Sequence, residues 1–557
     1  MRPQLLLVPL GLLLTHTAGA QTCEARVFAA DPASDSFFAS ALDFDGSEIL
    51  SGAPGARDGS GSSVGAVHVF ERATPTSAWG EVAEIQPASL VQGDNFGASI
   101  ARDGDTLVVG APETASVTSG TPGRVFVFER VSSSQWDEVT VLSPPDGVPG
   151  DTFGTSVAVD GDTLLVGAPN HDDAVRPGGS TYVYTRDAGG NWSLSQRLDK
   201  PQTNGGIGFG EVVAIDGDRA CISGPNMSGG AISSGAAFVY ARSGGPFAIV
   251  DELIPATAGI ADRFGASIVL EGDLILVGAP WFNDTASNEG AVWIFVFDPV
   301  LVDFVGVGRL SPTQADVTND FGESLAFDND RVLVGAPATD SVYVYENPTP
   351  VLWSSPRYVR PSLIGGLSSV GNVVALSGDA AVIGDASDST QGFRSGALYV
   401  SDVTLADADF NGISDVCENW WSVSCTQTTP NSTGAFATLE AAGSPFAVDQ
   451  SLALVARDLP AFQFGLLVAS ETPGLVPNPG GTQGSLCLGG TIGRFNALIA
   501  ASDFAGELSL DVPIGAMPPP LPSAVSAGET WYFQVWHRDV NPTPTANFTE
   551  AIEITYL

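Results

Sequence analysis

Asp407, Asp409, Asn411, Ile413, Asp415 and Glu418 carry the clearest chemistry in the chain. They occupy the first, third, fifth, seventh, ninth and twelfth places of a twelve-residue stretch, 407–418, with Gly412 at the sixth. Alternate side chains of a tight loop curl around one hard cation. The seventh residue offers its carbonyl, glycine makes the bend, and a twelfth-place glutamate closes the shell with two oxygens. The spacing predicts Ca2+ as a cofactor. No helix pattern flanks the loop, so the expected role is structural: the ion stiffens a junction whose carboxylates would otherwise repel one another.

Other chemistry has little to work with. Beyond residue 20 the histidines are His68, His171 and His537, too scattered for a histidine metal cluster or a Ser-His-Asp triad. Cys221 sits in the apolar run Ala220-Cys221-Ile222 and is expected to be a buried free thiol. That leaves Cys23, Cys417, Cys425 and Cys487, which the sequence alone can pair in three ways. A glycosidase needs only two carboxylates, and pairs such as Asp172-Asp173 are plentiful. No pair stands out among 63 acidic residues. The expectation is therefore a protein that is not an enzyme. A carbohydrate-active hydrolase or lyase using loop carboxylates is the alternative, and a purely structural cell-surface component is the third reading.

Composition narrows the partners. The formal net charge is −41, and Lys200 is the only lysine, so phosphate backbones and anionic membrane surfaces are repelled. Residues 1–20 hold one charge, Arg2, an apolar run and a terminal Ala18-Gly19-Ala20, the pattern of a signal peptide. No later stretch approaches the ~20 apolar residues of a membrane helix. An exported monomer without membrane insertion is expected, extracellular or at the cell surface, with the periplasm open. The 65 glycines and 38 prolines point to short strands and many turns.

The frame that must position these residues is a repeat. The stretch 94–112, Asp-Asn-Phe-Gly-Ala-Ser-Ile-Ala-Arg-Asp-Gly-Asp-Thr-Leu-Val-Val-Gly-Ala-Pro, occurs in seven versions, aligned on Phe37, Phe96, Phe153, Phe209, Phe264, Phe321 and Val370. Fourteen residues after each, fifteen in the first, comes Gly-Ala-Pro or a relic of it: Gly52, Gly110, Gly167, Ser223, Gly278, Gly335 and Gly384. Asp103-Gly104 and its equivalents suit tight hairpin turns. The unbroken Thr-Leu-Val-Val predicts a strand buried on both faces. A third strand follows a variable loop, and a fourth is introduced in most units by an aromatic, among them Trp79, Trp136, Trp192, Phe247 and Trp353, which are expected to pack rather than to bind. Four short strands in each unit of ~55 residues fit a propeller blade array.

With these motifs the units resemble FG-GAP repeats, the family whose blades also build the head of integrin α-subunits. The resemblance covers roughly 23–405 and implies an all-β, seven-bladed β-propeller. In many relatives the first turn is a calcium loop, Asp-x-Asn-x-Asp-Gly-x-x-Asp. Here it has shrunk to Asp-Gly-Asp: only Asp43, Asp45 and Gly46 approach the longer form, and Ile49 stands where an Asp is expected. Hairpin turns suffice to explain these residues. The segment 26–30 aligns with the fourth strands, and the seventh unit stops after its third, so the N-terminal strand is expected to complete the last blade and close the ring, removing an exposed edge. Closure would bring Cys23 to Cys417, and Cys425 would pair with Cys487. The loop at 407–418 is similar to the single calcium loops of dockerin and thrombospondin type 3 repeats.

After Trp420 the repeat gives way to alternating segments that predict a β-sandwich. Its pieces, including Gly484-Ser485-Leu486-Cys487, Arg494-Phe495-Asn496 and Gln534-Val535-Trp536-His537-Arg538-Asp539, resemble a C-terminal module of exported bacterial proteins. The expected organisation is a signal peptide at 1–20, a propeller at 21–405, a calcium-loop linker at 406–419 and a sandwich at 420–557. A protein or glycan ligand is expected on the variable loops 55–64, 113–122, 170–178, 226–234 and 281–289, because loops on a rigid scaffold carry recognition.

Overall fold

The computed structural model describes residues 24–557 apart from 31–33, 73–78, 114–119, 133–134, 173–177, 202–204, 256, 258, 284–287, 313–318, 347–352, 354–356, 360–368, 392, 403–420, 426–429, 444–451, 504–505, 523, 527–528, 541–543 and 557. The described helical elements are single 3-10 turns; all other regular structure is strand. The first sheet joins Ala41–Phe44, Glu48–Ala53, Ala66–Glu71 and Gly80–Ile85 as an antiparallel meander. The second does the same with Ser99–Asp103, Thr106–Ala111, Arg124–Ser132 and Gln135–Leu142. Four more sheets repeat this order, the last of them ending at Arg357–Val359. The seventh holds Val373–Ser377, Ala380–Asp385 and Ala397–Asp402, and its fourth strand, Glu24–Val27, comes from the other end of the chain, with Glu24 opposite Ser401 and Val27 opposite Leu398. First strands of successive sheets adjoin, and that of the seventh adjoins that of the first, giving a propeller-like arrangement.

Burial explains the order. Second strands such as Thr106–Ala111 and Thr163–Ala168 are buried at every position, as a strand covered on both faces must be. Seven apolar clusters each unite two neighbouring sheets; Leu50, Val67 and Val69 of the first meet Leu107, Val109 and Phe126 of the second. The repeat phenylalanine packs edge-on against third-strand aromatics of its own sheet, Phe96 on Phe126 at 5.2 Å and Phe321 on Tyr343 at 5.2 Å between centroids.

Two details of the repeat differ from the sequence alignment. In the first unit the equivalent residue is Phe38, fully buried against Phe70, and not Phe37, which is half-exposed with φ +52°. The spacing to Gly52 is then fourteen, as elsewhere. Ser223 is no relic. In most units a serine at the start of the first strand, or just before it, donates to the carbonyl of the next unit's Phe-Gly glycine: Ser99 to Gly154 at 2.8 Å, Ser156 to Gly210 at 2.8 Å, Ser324 to Gly371 at 2.7 Å. In the fourth unit Val212 replaces that serine, and Ser223, directly opposite on the second strand, donates to Gly265 at 2.6 Å. The hydroxyl has crossed the ladder and the bond is kept.

The two ends of the sheets are built differently. At the turn end four hairpins reach the next: the Asp103 carboxylate accepts from the Gly161 N–H at 2.6 Å, and Asp160, Asp216 and Asp328 accept likewise from Gly217, Gly272 and Gly378. The second Asp of the turn takes an arginine, as Asp162 takes Arg186 at 2.7 Å and Asp218 takes Arg242 at 2.8 Å. The same guanidinium groups lie over the fourth-strand aromatics, Arg186 at 5.3 Å from the Trp192 centroid and Arg242 at 4.7 Å from that of Phe247. The Asp-to-glycine bonds, and Arg186 reaching Glu129 of the preceding sheet at 2.9 Å, join neighbouring sheets, while the aromatics brace the arginines within each sheet. At the loop end backbones touch instead: a Cβ on Gly110 would stand 2.1 Å from the Gly154 carbonyl oxygen.

In the C-terminal module a larger sheet containing Trp421–Cys425, Phe464–Ser470, Thr530–Val540 and Pro544–Thr555 faces a smaller one of Thr438–Gly443, Leu452–Arg457 and Leu508–Val512. Leu467, Val535 and Ile552 from the first meet Leu439, Leu454 and Leu510 from the second in one core. Cys425 and Cys487 form a disulfide, and Cys221 is a buried free thiol, pushed by burial up to about 12. Cys23 and Cys417 lie outside the described residues. The module rests on the sixth and seventh sheets: Val455 enters their shared cluster, and Arg26 pairs with Asp388 of the seventh sheet's loop and with Asp511 of the module at 2.9 Å.

Candidate functional site at the loop end of the sheets

Asp407, Asp409, Asn411, Ile413, Asp415 and Glu418 all lie outside the described residues. Among the described residues no group of three or more His, Cys, Asp or Glu side chains is placed to hold a metal. The three histidines stand apart, each with a local partner. His68 Nδ1 is 2.8 Å from Glu81, and His171 Nδ1 is 2.8 Å from Asp151. His537 is fully buried, its Nδ1 3.1 Å from the Arg538 carbonyl, and burial lowers its pKa.

A meander places the loops after Gly-Ala-Pro and the approaches to Phe-Gly at the same end, because connections alternate ends along antiparallel strands. Hydrogen bonds tie the two sets together: Gly93 N–H donates to Ser63 O at 2.9 Å and Phe96 N–H to Val64 O at 3.0 Å. The residues flanking each Phe-Gly therefore meet where the first strands begin. In the second unit they are Asn95 and Ala98. In the fourth, fifth and sixth units charges replace them: Glu211, Arg263, Asp320 and Glu323.

These four form one cluster. Arg263, held at φ +58°, places Nη1 3.1 Å from Glu323 Oε2 and its guanidinium carbon 5.0 Å from the Trp281 ring centroid. Glu211 accepts from Asn226 Nδ2 at 3.3 Å. Burial raises the Glu211 carboxyl above its ordinary range, opposed by Arg263 and Asn226 and helped by the charge of Glu323. Asp320 is raised by burial and by Glu323, and one of its carboxylate oxygens is buried without a partner, as is one of Asp262. Trp281 opens the 281–289 loop and is 40% exposed, so one flank of the cluster is an accessible indole. The arrangement can accept hydrogen bonds from hydroxyl or amine groups while an apolar face rests on the ring. Beside the first two sheets the same end has a second recess of about 380 Å3, lined by Phe37, Arg57 and Asn95.

Loop residue Trp281 and the general location were expected from the sequence; Glu211, Arg263, Asp320 and Glu323 were not. The available signal was a break in the repeat, where charge replaces the small Ala98 and Ala266 or the neutral Asn95 and Thr152.

A family model described as FG-GAP repeat matches residues 79–128, 136–184 and 250–295. Each match runs from the fourth strand of one sheet to the third of the next. Among solved structures the chain is similar to the periplasmic gluconolactonase of Pseudomonas aeruginosa, with 19% identity, a TM-score of 0.40, and 57% of this chain and 84% of that chain covered. It is also similar to Sqt1 of Saccharomyces cerevisiae, with 10% identity, a TM-score of 0.38, and 69% and 100% covered.

Proposed function

We propose that the chain is an exported, non-catalytic binding or adhesion protein: a seven-bladed β-propeller, closed by its N-terminal strand, that holds a protein or glycan ligand at its loop end. The cluster of Arg263, Glu211, Glu323 and Asp320 beside Trp281 carries the binding reading, because a buried carboxylate oxygen without a partner, as on Asp320, is costly unless something else uses it. The closed ring is supported by the pairing of Glu24–Val27 with Ala397–Asp402 and by the cyclic order of the first strands. Export agrees with a disulfide and with the leader-like residues 1–20. The propeller occupies 21–405, the linker 406–419 and the sandwich 420–557.

The test is capture of polysaccharides and proteins from the source environment on the immobilised full chain. Arg263→Gln with Trp281→Ala is expected to weaken capture at least about tenfold and to leave the melting temperature nearly unchanged. Undiminished capture by that double variant overturns the assignment. The alternative, a hydrolase or lyase, draws support from the raised Glu211 carboxyl beside Glu323, a pairing suited to proton transfer. Release of reducing sugar that Glu211→Gln abolishes favours it. A purely structural component does neither.

Structural Ca2+ at 407–418 rests on spacing alone. Calcium is expected to raise the melting temperature of the wild type, and replacing Asp407 and Asp415 by Asn is expected to abolish the rise. Identical melting of the wild type in calcium and in chelator removes the site.

A further inference from the structure

We infer that the C-terminal module binds a small carboxylic acid with an apolar body, on the face of its larger sheet that turns away from the core. Three neighbouring strands set one cross-strand row there: Leu466 is opposite Trp536, and Trp536 is opposite Phe548. Their chain neighbours Leu467 and Val535 point the other way into the sandwich core, so the row belongs to the second face. The row is the floor of a cavity of about 690 Å3, walled by residues including Leu486 and Ile492. That volume lies in the range of small-molecule sites, which are mostly apolar with a few placed polar groups.

The wall is anchored. Leu486 belongs to Ser485–Leu488, whose Cys487 is bonded to Cys425. Gln534, fully buried beneath it, accepts from the Cys487 N–H at 2.9 Å and donates to the carbonyls of Ser485 at 3.0 Å and Thr549 at 2.8 Å. The cavity is thus pre-formed, which lowers the ordering cost of binding.

Its electrostatics are unlike those of the rest of the chain. Among the described residues no Asp or Glu lines it, although the chain has 63 of them. Its one charged lining residue is Arg494, an exposed arginine. Many described arginines, such as Arg102, Arg186 and Arg263, are held by carboxylates; Arg494, like Arg57, Arg394 and Arg538, has no carboxylate partner among the described residues. A planar guanidinium over an apolar cavity selects a carboxylate on an apolar body. A sugar finds few partners on such walls, and a cation is repelled.

The experiment is calorimetric titration of the full chain with 4-phenylbutyrate, its neutral amide and 4-phenylbutylamine. The acid is expected to bind at least about tenfold more tightly than the amide, and the amine not measurably. Arg494→Gln, at an exposed position, is expected to fold normally and to erase the preference of acid over amide; Arg494→Lys should restore part of it. Trp536→Ala should weaken acid and amide alike, and Arg263→Gln at the propeller mouth should change neither, which separates this site from the one proposed above. Absence of acid binding at millimolar concentration, equal affinity for acid and amide, or a preference that survives Arg494→Gln would each overturn the inference.

Discussion

The two ends of the repeated sheets use the same residue types to opposite effect. At the turn end the carboxylates Asp103, Asp160, Asp216 and Asp328 each accept from a glycine N–H of the neighbouring turn, and Asp162, Asp218 and Asp273 each meet an arginine. At the loop end the repeat aspartates Asp94 and Asp151 are met by Arg124 and His171, whereas Asp320, which breaks the repeat, keeps a buried oxygen without a partner among the described residues, and Glu211 is raised by burial. Where an acid recurs with the repeat and meets a glycine N–H of the next turn or an arginine, it serves the scaffold. Where charges interrupt the repeat, as Glu211 and Asp320 do, they are left part-satisfied, which is the pattern the proposed binding role rests on.

The sharpest way to break this comparison is to put a methyl group at each end. Gly110→Ala at the loop end would drive Cβ to 2.1 Å from a backbone oxygen of the next sheet, and a loss of about 3 kcal/mol or more is expected in chemical denaturation. Gly104→Ala at the turn end has open space and only its φ of +57° against it, so about 1 kcal/mol is expected. Equal losses would mean that the loop-end backbones are free to part.

The turn end can also be tested by charge. Arg102 stands where other units have Val159, Ile215 or Leu270, and it is 6% exposed among Asp43, Asp45 and Glu48, with Arg130 also on Glu48. Arg102→Ala leaves buried carboxylates short of a cation and should cost about 3 kcal/mol at neutral pH. Burial raises Asp43, opposed by Arg102. A carboxyl raised in the folded state binds its proton more readily there than when unfolded, so its ionisation destabilises the fold as pH rises. The cost of Arg102→Ala should therefore shrink on acidification, as protonated Asp43 no longer needs a cation. A pH-independent loss in urea titrations would contradict that account.

The smallest effect sharpens the comparison within the loop end. Ser223→Gly removes the hydroxyl that reaches Gly265 and should cost about 1 kcal/mol. Adding Val212→Ser restores the arrangement of Ser99 opposite Gly110 and should recover most of it in a double-mutant cycle. Strict additivity of the two changes would show that the hydroxyl does not serve the same bond from either strand.

Legibility followed distance along the chain. The Thr-Leu-Val-Val run announced a strand buried on both faces, and Thr106–Ala111 is one. The choice of Phe37 over Phe38 failed because two adjacent aromatics look alike until one is seen packed on Phe70. The mouth was half legible: Trp281 lay in an expected loop, whereas Arg263 finds Glu323 sixty residues away. Along 536–539 strand alternation leaves Trp536 on the second face and His537 and Asp539 buried.

By itself the sequence determined the repeated strands, their order within each unit and the buried second strand, because period, turn residues and hydrophobic runs act within about twenty residues of each other. Only the tertiary structure decided which carboxylates are satisfied, that Ser223 replaces a hydroxyl lost from the opposite strand, and that Leu466, Trp536 and Phe548 form one floor. Those outcomes depend on which strands lie side by side and on which surfaces lose their water, and neither is written in the spacing of residues along the chain.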